Sequence, residues 1–297
     1  MTYRELYEEG MARLKAAEVK EEELTARLML EYLCHTDRNY LLAHGDERVT
    51  GDIVEQYTGM IDERAKHIPL QYITNEQEFM GLKYYVNQDV LIPRQDTECL
   101  VEEAMREIQD GMAVLDMCTG SGCIIISLIK YKNHIRAVAT DISERALGVA
   151  RHNSLEHGVT EQLRLVQSDL FENEEEIRRA LRFLTDAEQG QGDRFDFILS
   201  NPPYIRSDVI EGLDAEVKDH EPRIALDGTA DGLYFYRKIV DQARAFLVPG
   251  GKIFLEIGYD QGDAVTEILK KNGYADIQVT KDLAGLDRVV SARMSAK

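Results

Sequence analysis

Short apolar, β-prone runs recur along residues 113–294, and helical stretches separate most of them. That alternation restricts the fold more than any other feature, because strands joined through helices must lie parallel in a sheet that the helices cover. Strands are expected at 114–117, 136–140, 163–167, 195–200, 252–257, 277–280 and 288–294. The last two lie too close for a crossover helix, so an antiparallel pair is expected there. The fold class is therefore α/β, with a Rossmann-like, seven-stranded and mostly parallel sheet.

Upstream, the pattern is helical. Thr2 and Glu5 fit a capping box, and Leu6, Met11 and Leu14 follow near helical spacing. A second apolar helix is expected over 24–33, and Ile53, Tyr57, Met60 and Ile61 mark a third, with turns at Thr36-Asp37 and Gly45-Asp46. Leu82, Tyr84 and Val86, then Val90-Leu91-Ile92, read as a β-hairpin turning at Asn87-Gln88-Asp89. Pro93-Arg94 ends it, and Thr97 is the expected cap of a helix over 98–108. These boundaries predict a small N-terminal helical bundle (1–72), a β-hairpin linker (73–92) and a main domain (93–297). The acidic, then Gln/Gly-rich, stretch 172–193 reads as an exposed helix and loop.

Bulk properties remove several classes. The apolar stretch 123–129 is far shorter than the roughly 20 residues of a membrane span. The first residues show neither the basic nor the apolar region of a signal peptide, so a cytoplasmic location and no membrane partner are expected. Cys34, Cys99, Cys118 and Cys123 form no C-x-x-C pair and have no histidine at zinc spacing, so no metal is expected. The net charge of −19, from 54 acids against 35 bases, lacks the basic footprint of a duplex-binding protein.

The first strand of the main domain runs into Cys118-Thr119-Gly120-Ser121-Gly122 and then an apolar helix. Glycines let backbone approach a ligand, and a helix start offers unpaired N–H groups. A dinucleotide fingerprint would need glycine at Ile125, and a P-loop would need Gly-Lys-Ser/Thr; neither is present. The second strand ends at Asp141, about 20 residues after the loop, where a carboxylate can accept hydrogen bonds from both ribose hydroxyls. The third ends in Ser168-Asp169-Leu170, placed to meet an adenine. In such sheets ligands bind outside the carboxyl ends of the strands. A nucleoside without pyrophosphate matches S-adenosylmethionine, whose spent form is S-adenosylhomocysteine.

Ser200-Asn201-Pro202-Pro203-Tyr204 follows the fourth strand. Two prolines fix φ and remove two donors, and each pushes its predecessor out of the helical region. The Asn201 side-chain oxygen and the Pro202 carbonyl can then act as rigid acceptors, with Tyr204 offering a flat face. An amide or aromatic amine nitrogen is a poor nucleophile; two acceptors on its N–H bonds can aim its lone pair at a sulfonium methyl. Placement can lower a barrier by roughly 7–11 kcal/mol.

Over nearly its whole length the sequence resembles the peptide-chain release factor glutamine N5-methyltransferases. Segments carrying the resemblance include Pro69-Leu70-Gln71-Tyr72-Ile73, Pro93-Arg94, Asp96-Thr97-Glu98, Asp116 to Gly122 and Asn201 to Tyr204. Glu221-Pro222, Asp231-Gly232-Leu233, Leu255-Glu256-Ile257-Gly258 and Asp287-Arg288-Val289-Val290 extend it. The resemblance implies a class I S-adenosylmethionine-dependent methyltransferase acting on the Gly-Gly-Gln glutamine of release factors. It implies cofactor contacts from Cys118, Thr119, Gly120, Ser121, Gly122, Asp141, Leu170 and Asn201, and glutamine contacts from Asn201, Pro202, Pro203 and Tyr204. A helical N-terminal domain that helps hold the release factor, and a monomer, are also expected. Three positions depart from the family pattern. Cys118 replaces a usual glycine, which is harmless if its φ is negative; Gln95 replaces a common proline; Leu170 replaces an aromatic that flanks adenine. Asn-Pro-Pro-Tyr alone also occurs in methyltransferases acting on exocyclic amines of DNA or RNA and on a ribosomal-protein glutamine. A cofactor-binding scaffold without catalysis is a third reading, opposed by the intact Asn201 segment.

Overall fold

The computed structural model describes residues 1–185 and 192–295, which form two compact units. The first unit comprises Met1–Glu76 together with Asp214–His220. Its helices are α1 (Tyr3–Ala16), α2 (Glu22–Cys34), α3 (Arg38–Ala43), α4 (Gly51–Arg64) and α5 (Leu70–Thr74). The Thr2/Glu5 capping box forms as expected. Leu6, Leu14, Met29, Leu30, Tyr57 and Ile61 fill the core, and α1 and α4 come so close that a Cβ on Gly10 would lie 2.3 Å from the Tyr57 hydroxyl. The distant segment 214–220 joins this unit through Arg64–Glu216 (2.8 Å) and Lys20–Asp214 (2.7 Å). Nothing in the local sequence marked that excursion.

The second unit comprises Gln77–Leu213 and Glu221–Lys297. It opens with a hairpin of β1 (Glu76–Phe79) and β2 (Leu82–Tyr85), so the expected hairpin at 82–86 and 90–92 is misplaced. The turn is Met80-Gly81, with φ of 53° and 67°; two positive φ angles match the right-handed twist of the flanking strands. Polar Glu76-Gln77-Glu78 hid the first strand. Asn87 instead forms a local turn with its side-chain oxygen on the Asp89 amide (2.9 Å).

The order then is α6 (Gln95–Glu107), β3 (Ala113–Met117), α7 (Cys123–Tyr131), β4 (Arg136–Asp141), α8 (Glu144–Glu156), β5 (Leu163–Gln167), α9 (Glu174–Thr185) and β6 (Phe195–Ser200). Short helices α10 (Ser207–Ile210), α11 (Ala215–Lys218, in the first unit) and α12 (Arg223–Leu226) lead to α13 (Tyr234–Ala243), β7 (Leu247–Glu256), α14 (Gly262–Lys271), β8 (Tyr274–Lys281) and β9 (Asp287–Met294). Helix α9 occupies part of the stretch expected to hold an exposed helix and loop; 186–191 lie outside the described residues.

The seven strands are ordered β5-β4-β3-β6-β7-β9-β8, and β9 runs against both neighbours. The expected closing antiparallel pair is therefore present. Side chains alternate between two cores: Leu115, Ile198 and Ile253 on one face of the sheet, Val114, Phe197 and Phe254 on the other. Strand order reverses at β3, which has β4 on one side and β6 on the other. Ligand crevices open at such switch points, outside the carboxyl ends of the strands.

Candidate active site

A cavity of about 220 Å³ lies there, lined by the segments after β3, β4, β5 and β6 and by residues 89–97 and 222–235. Every part of it belongs to the second unit. Cys118, Thr119, Gly120, Ser121, Asp141, Asp169, Leu170, Asn201 and Pro203 all face it. Gly122, Pro202 and Tyr204 are not among its walls; they support those that are.

After β3 the chain turns sharply, with φ of 58° at Cys118, 54° at Gly120 and 81° at Gly122. The condition under which Cys118 would be harmless, a negative φ, is not met. This position sits in the left-handed region, where a Cβ crowds the following carbonyl by roughly 1–2 kcal/mol. Burial pushes its thiol pKa well up, so it is no thiolate nucleophile. A Cβ on Gly120 would meet open space, whereas one on Gly122 would lie 3.0 Å from Ile126 Cδ1 and 3.3 Å from Ala150 Cβ. Gly120 thus leaves the loop open, and Gly122 lets α7 pack against α8.

Asp141 holds that loop. Its Oδ2 accepts from the Gly120 N–H and its Oδ1 from the Ser143 N–H, both at 2.9 Å. Burial raises its pKa and these backbone donors oppose the rise. A carboxylate has about four acceptor sites, so capacity remains for a ligand. Ile142 and Leu170 add apolar walls beside it. Asp116, beneath the loop, is fully buried; burial is the main cause pushing its pKa up to about 7, opposed by Thr119. Its Oδ2 accepts from Thr119 Oγ1 at 2.6 Å, while Oδ1 has no hydrogen-bond partner among the described residues.

The Asn201–Tyr204 turn is gripped from several directions. Asn201 Nδ2 donates to Thr97 Oγ1 (3.3 Å), which leaves its Oδ1 as an acceptor at the cavity wall. Ser200, buried, donates to the Met117 carbonyl (2.8 Å) and ties β6 to β3. Gln261 Nε2 donates to the Tyr204 carbonyl (3.0 Å), and Ile205 forms a parallel bridge with Asp227. Gly228 and Gly232 press directly on the turn: a Cβ would lie 2.7 Å from Tyr204 Cα at the first and 2.5 Å from the Tyr204 carbonyl oxygen at the second. Tyr204 does not present its ring as a wall of the cavity; its hydroxyl donates to Glu256 Oε1 (3.3 Å) inside the domain.

One sequence expectation changes here. Thr97 is not a cap: α6 starts at Gln95 with Arg94 as its N-cap, and Thr97 is buried in the first turn, where it meets Asn201. Gln95 occupies the first helical position, where the proline it replaces is also tolerated because that N–H has no helical partner. Glu221 and Arg223, near neighbours in sequence, go separate ways: Glu221 pairs with Arg94 beside the cavity and Arg223 with Glu211 (2.9 Å). Asp116, Gly228, Glu256 and Gln261 had no assigned role in the sequence; only their place in family-like segments singled out some of them.

Residues 5–74 match the family model for the PrmC N-terminal domain, and residues 95–214 match that for the methyltransferase small domain. A release factor glutamine methyltransferase of Clostridium botulinum is 39% identical over 295 residues, covering 99% of this chain and 99% of that protein. The chain belongs to the release factor glutamine methyltransferases. Another member, from Geobacter sulfurreducens, is 40% identical over 274 residues, or 91% of this chain and 90% of its own length. The solved structure of a methyltransferase from Pyrococcus furiosus shares the fold, with TM-score 0.50 at 19% identity, covering 79% of this chain and 98% of that one. Among the described residues no helix is long and apolar enough to cross a membrane.

Proposed function

We propose that the chain transfers the methyl group of S-adenosylmethionine to the side-chain amide nitrogen of the glutamine in the Gly-Gly-Gln segment of peptide chain release factors. The observation that carries this reading is the anchored amide of Asn201, whose nitrogen is tied to Thr97 and whose oxygen is left to accept at the cavity. The name shared by relatives of matching length supplies the substrate.

Bound S-adenosylmethionine supplies an electrophilic methyl carbon on a sulfonium. The residues present fit it. The Cys118–Gly122 loop leaves an open cradle, Asp141 keeps acceptor capacity that would serve the ribose hydroxyls, and Asp169, Ile142 and Leu170 line the cavity where they would hold the base. Asn201, at the cavity wall, would hold the target amide beside the bound cofactor. Its Oδ1 and the Pro202 carbonyl accept the two N–H bonds of the target amide, so the nitrogen lone pair points at the methyl carbon. Transfer of the methyl carbon from sulfur to this nitrogen would break the C–S bond and release S-adenosylhomocysteine, and the same acceptors would stabilise the positive charge on nitrogen, a role for which one oriented group contributes about 3 kcal/mol. The N–H proton would then pass along one of those hydrogen bonds to solvent water. In this scheme Asn201 and Pro202 bind the target amide, Pro203 stiffens the turn at the cavity wall, and Tyr204 anchors it from inside the domain. The N-terminal helical unit holds the protein substrate, and the reaction takes place in the cytoplasm, where translation ends.

Incubation with methyl-labelled cofactor and, separately, purified release factor, ribosomal protein or DNA tests the proposal. Label on the release-factor glutamine supports it; label on ribosomal protein or DNA alone replaces it. The net charge of −19 argues against the nucleic-acid acceptor.

A further inference from the structure

The scheme above leaves one buried acid without a part. Glu256 ends β7 behind the Asn201–Tyr204 turn, with 1% of its surface exposed. A carboxylate so placed is costly unless donors satisfy it. One donor reaches it at hydrogen-bond distance, the Tyr204 hydroxyl 3.3 Å from Oε1, and the Thr97 hydroxyl acts on it electrostatically, favouring the ionised form. Oε2 accepts no hydrogen bond of ordinary geometry among the described residues. The other titratable or charged groups around it are Asp96 on α6, Cys123 on α7, Tyr236 on α13 and Arg288 on β9. Tyr236 spends its hydroxyl proton on the Glu256 backbone carbonyl (2.9 Å). Arg288 is shared with Asp282 (3.0 Å) and Asp96 (3.1 Å), so its charge is not devoted to Glu256.

Thr97 links this acid to the cavity. A hydroxyl has one proton and two lone pairs. While Glu256 is ionised, the Thr97 proton is drawn toward the carboxylate, and Oγ1 can only accept from its other neighbour, Asn201 Nδ2 at 3.3 Å. That fixes the amide with its NH2 inward and its oxygen outward. Once Glu256 is protonated the hydroxyl is free to donate to Asn201 instead, which favours the flipped amide. An outward NH2 would then oppose the N–H bonds of the incoming substrate. Resting on the proposed amide methylation, we infer that Glu256 acts through Thr97 as a positioning residue that keeps the acceptor face of Asn201 toward the cavity, and that its ionised form is the active one. Burial, the dominant influence on it, pushes the Glu256 pKa up to about 7 against the opposing pull of Thr97, Arg288 and Tyr204. The switch therefore falls near neutrality, and activity is lost as pH drops through that value.

The test measures kcat against pH for the full chain, with saturating S-adenosylmethionine and purified release factor, alongside nitrogen NMR of the Asn201 side-chain amide. Wild type should show an acid limb with a midpoint near 7, and Glu256→Gln should lose that limb. Thr97→Val should lower kcat about 10–10²-fold with cofactor affinity within about twofold, the scale for misorientation of a reacting group; Thr97→Ser should restore it. The Asn201 amide signal should move with the same midpoint in wild type and stay fixed in Glu256→Gln, a readout that needs no turnover. An acid limb or a shifting Asn201 signal that survives in Glu256→Gln overturns the inference, as does wild-type kcat in Thr97→Val. If wild type methylates a different acceptor, the substrate assignment fails, while the NMR titration still decides the role of Glu256.

Discussion

Gly228→Ala places a methyl group where the structure has no room for one, and the size of its effect can be worked out. The new Cβ would lie 2.7 Å from both Tyr204 Cα and Tyr204 C and 2.9 Å from the Pro203 carbonyl oxygen, against an ordinary contact of 3.4 Å or more. These are backbone atoms, so no side-chain rotation relieves the overlap, and the two strands of chain must separate by at least about 0.7 Å. Gly228 cannot take up all of that movement. Its N–H donates to the Ile205 carbonyl (2.8 Å), and its neighbour Asp227 is held by Ser207 (2.6 Å). Part of the displacement therefore passes into the Pro203-Tyr204 turn. A reacting group misplaced by 1 Å costs about 10²-fold in rate. A shared 0.7 Å shift should lower kcat roughly 10- to 50-fold, or about 1.4–2.3 kcal/mol of barrier. Cofactor affinity should stay within about twofold, because the loop after β3 and Asp141 stand on other strands. Steady-state transfer of labelled methyl, calorimetry with S-adenosylmethionine and a thermal melt measure the three quantities. Gly148→Ala, with open space around its Cβ on the exposed face of α8, is the control. A folded Gly228→Ala enzyme with kcat within twofold of wild type would refute the claim that this contact aims the turn.

Asn201→Ala should cut methyl transfer about 10²–10³-fold, the scale for one preorganised polar group, with little loss of cofactor affinity; undiminished turnover would remove Asn201 from the mechanism. Asp141→Ala should weaken S-adenosylmethionine binding on the order of 10²-fold, since hydrogen bonds to a charged group contribute about 1.5–3 kcal/mol each; equal affinity by calorimetry would reject its ribose role. Cys118→Gly should be more stable than Cys118→Ala by about 1 kcal/mol in denaturant titrations, because only glycine escapes the Cβ clash at φ 58°. The reverse order would contradict the left-handed backbone there.

The sheet was legible in the sequence because buried strands show as apolar runs and parallel connectivity shows as intervening helices. Strands β3 to β6 fall within a residue of where those runs predict them. The cofactor half of the cavity was legible for a related reason. A parallel sheet brings the ends of successive strands to one edge, so Gly120, Asp141 and Leu170 converge whatever lies between them. Local patterns failed where a residue's role depends on what lies behind it. Thr97 has the composition of a cap, but burial against Asn201 gives it another task. Cys118 stands where glycine is usual, and only the backbone reveals that its φ is positive all the same. The first strand of the hairpin failed through its charge: Glu76-Gln77-Glu78 has no alternation to read.

The Asn-Pro-Pro-Tyr segment shows the same division most clearly. Its prolines fix two φ angles and delete two donors, which makes the turn stiff but sets no direction for it. Direction comes from Gln261 on the Tyr204 carbonyl, from Thr97 on the Asn201 amide, from Glu256 beneath the Tyr204 hydroxyl, and from two glycines whose missing side chains let the neighbouring backbone close in. Each of these is far from the turn in sequence, and each acts only after α6, β7 and α14 have packed. A free peptide carrying the same four residues would therefore be rigid yet unaimed, and the acceptor geometry that the chemistry needs is a property of the folded domain.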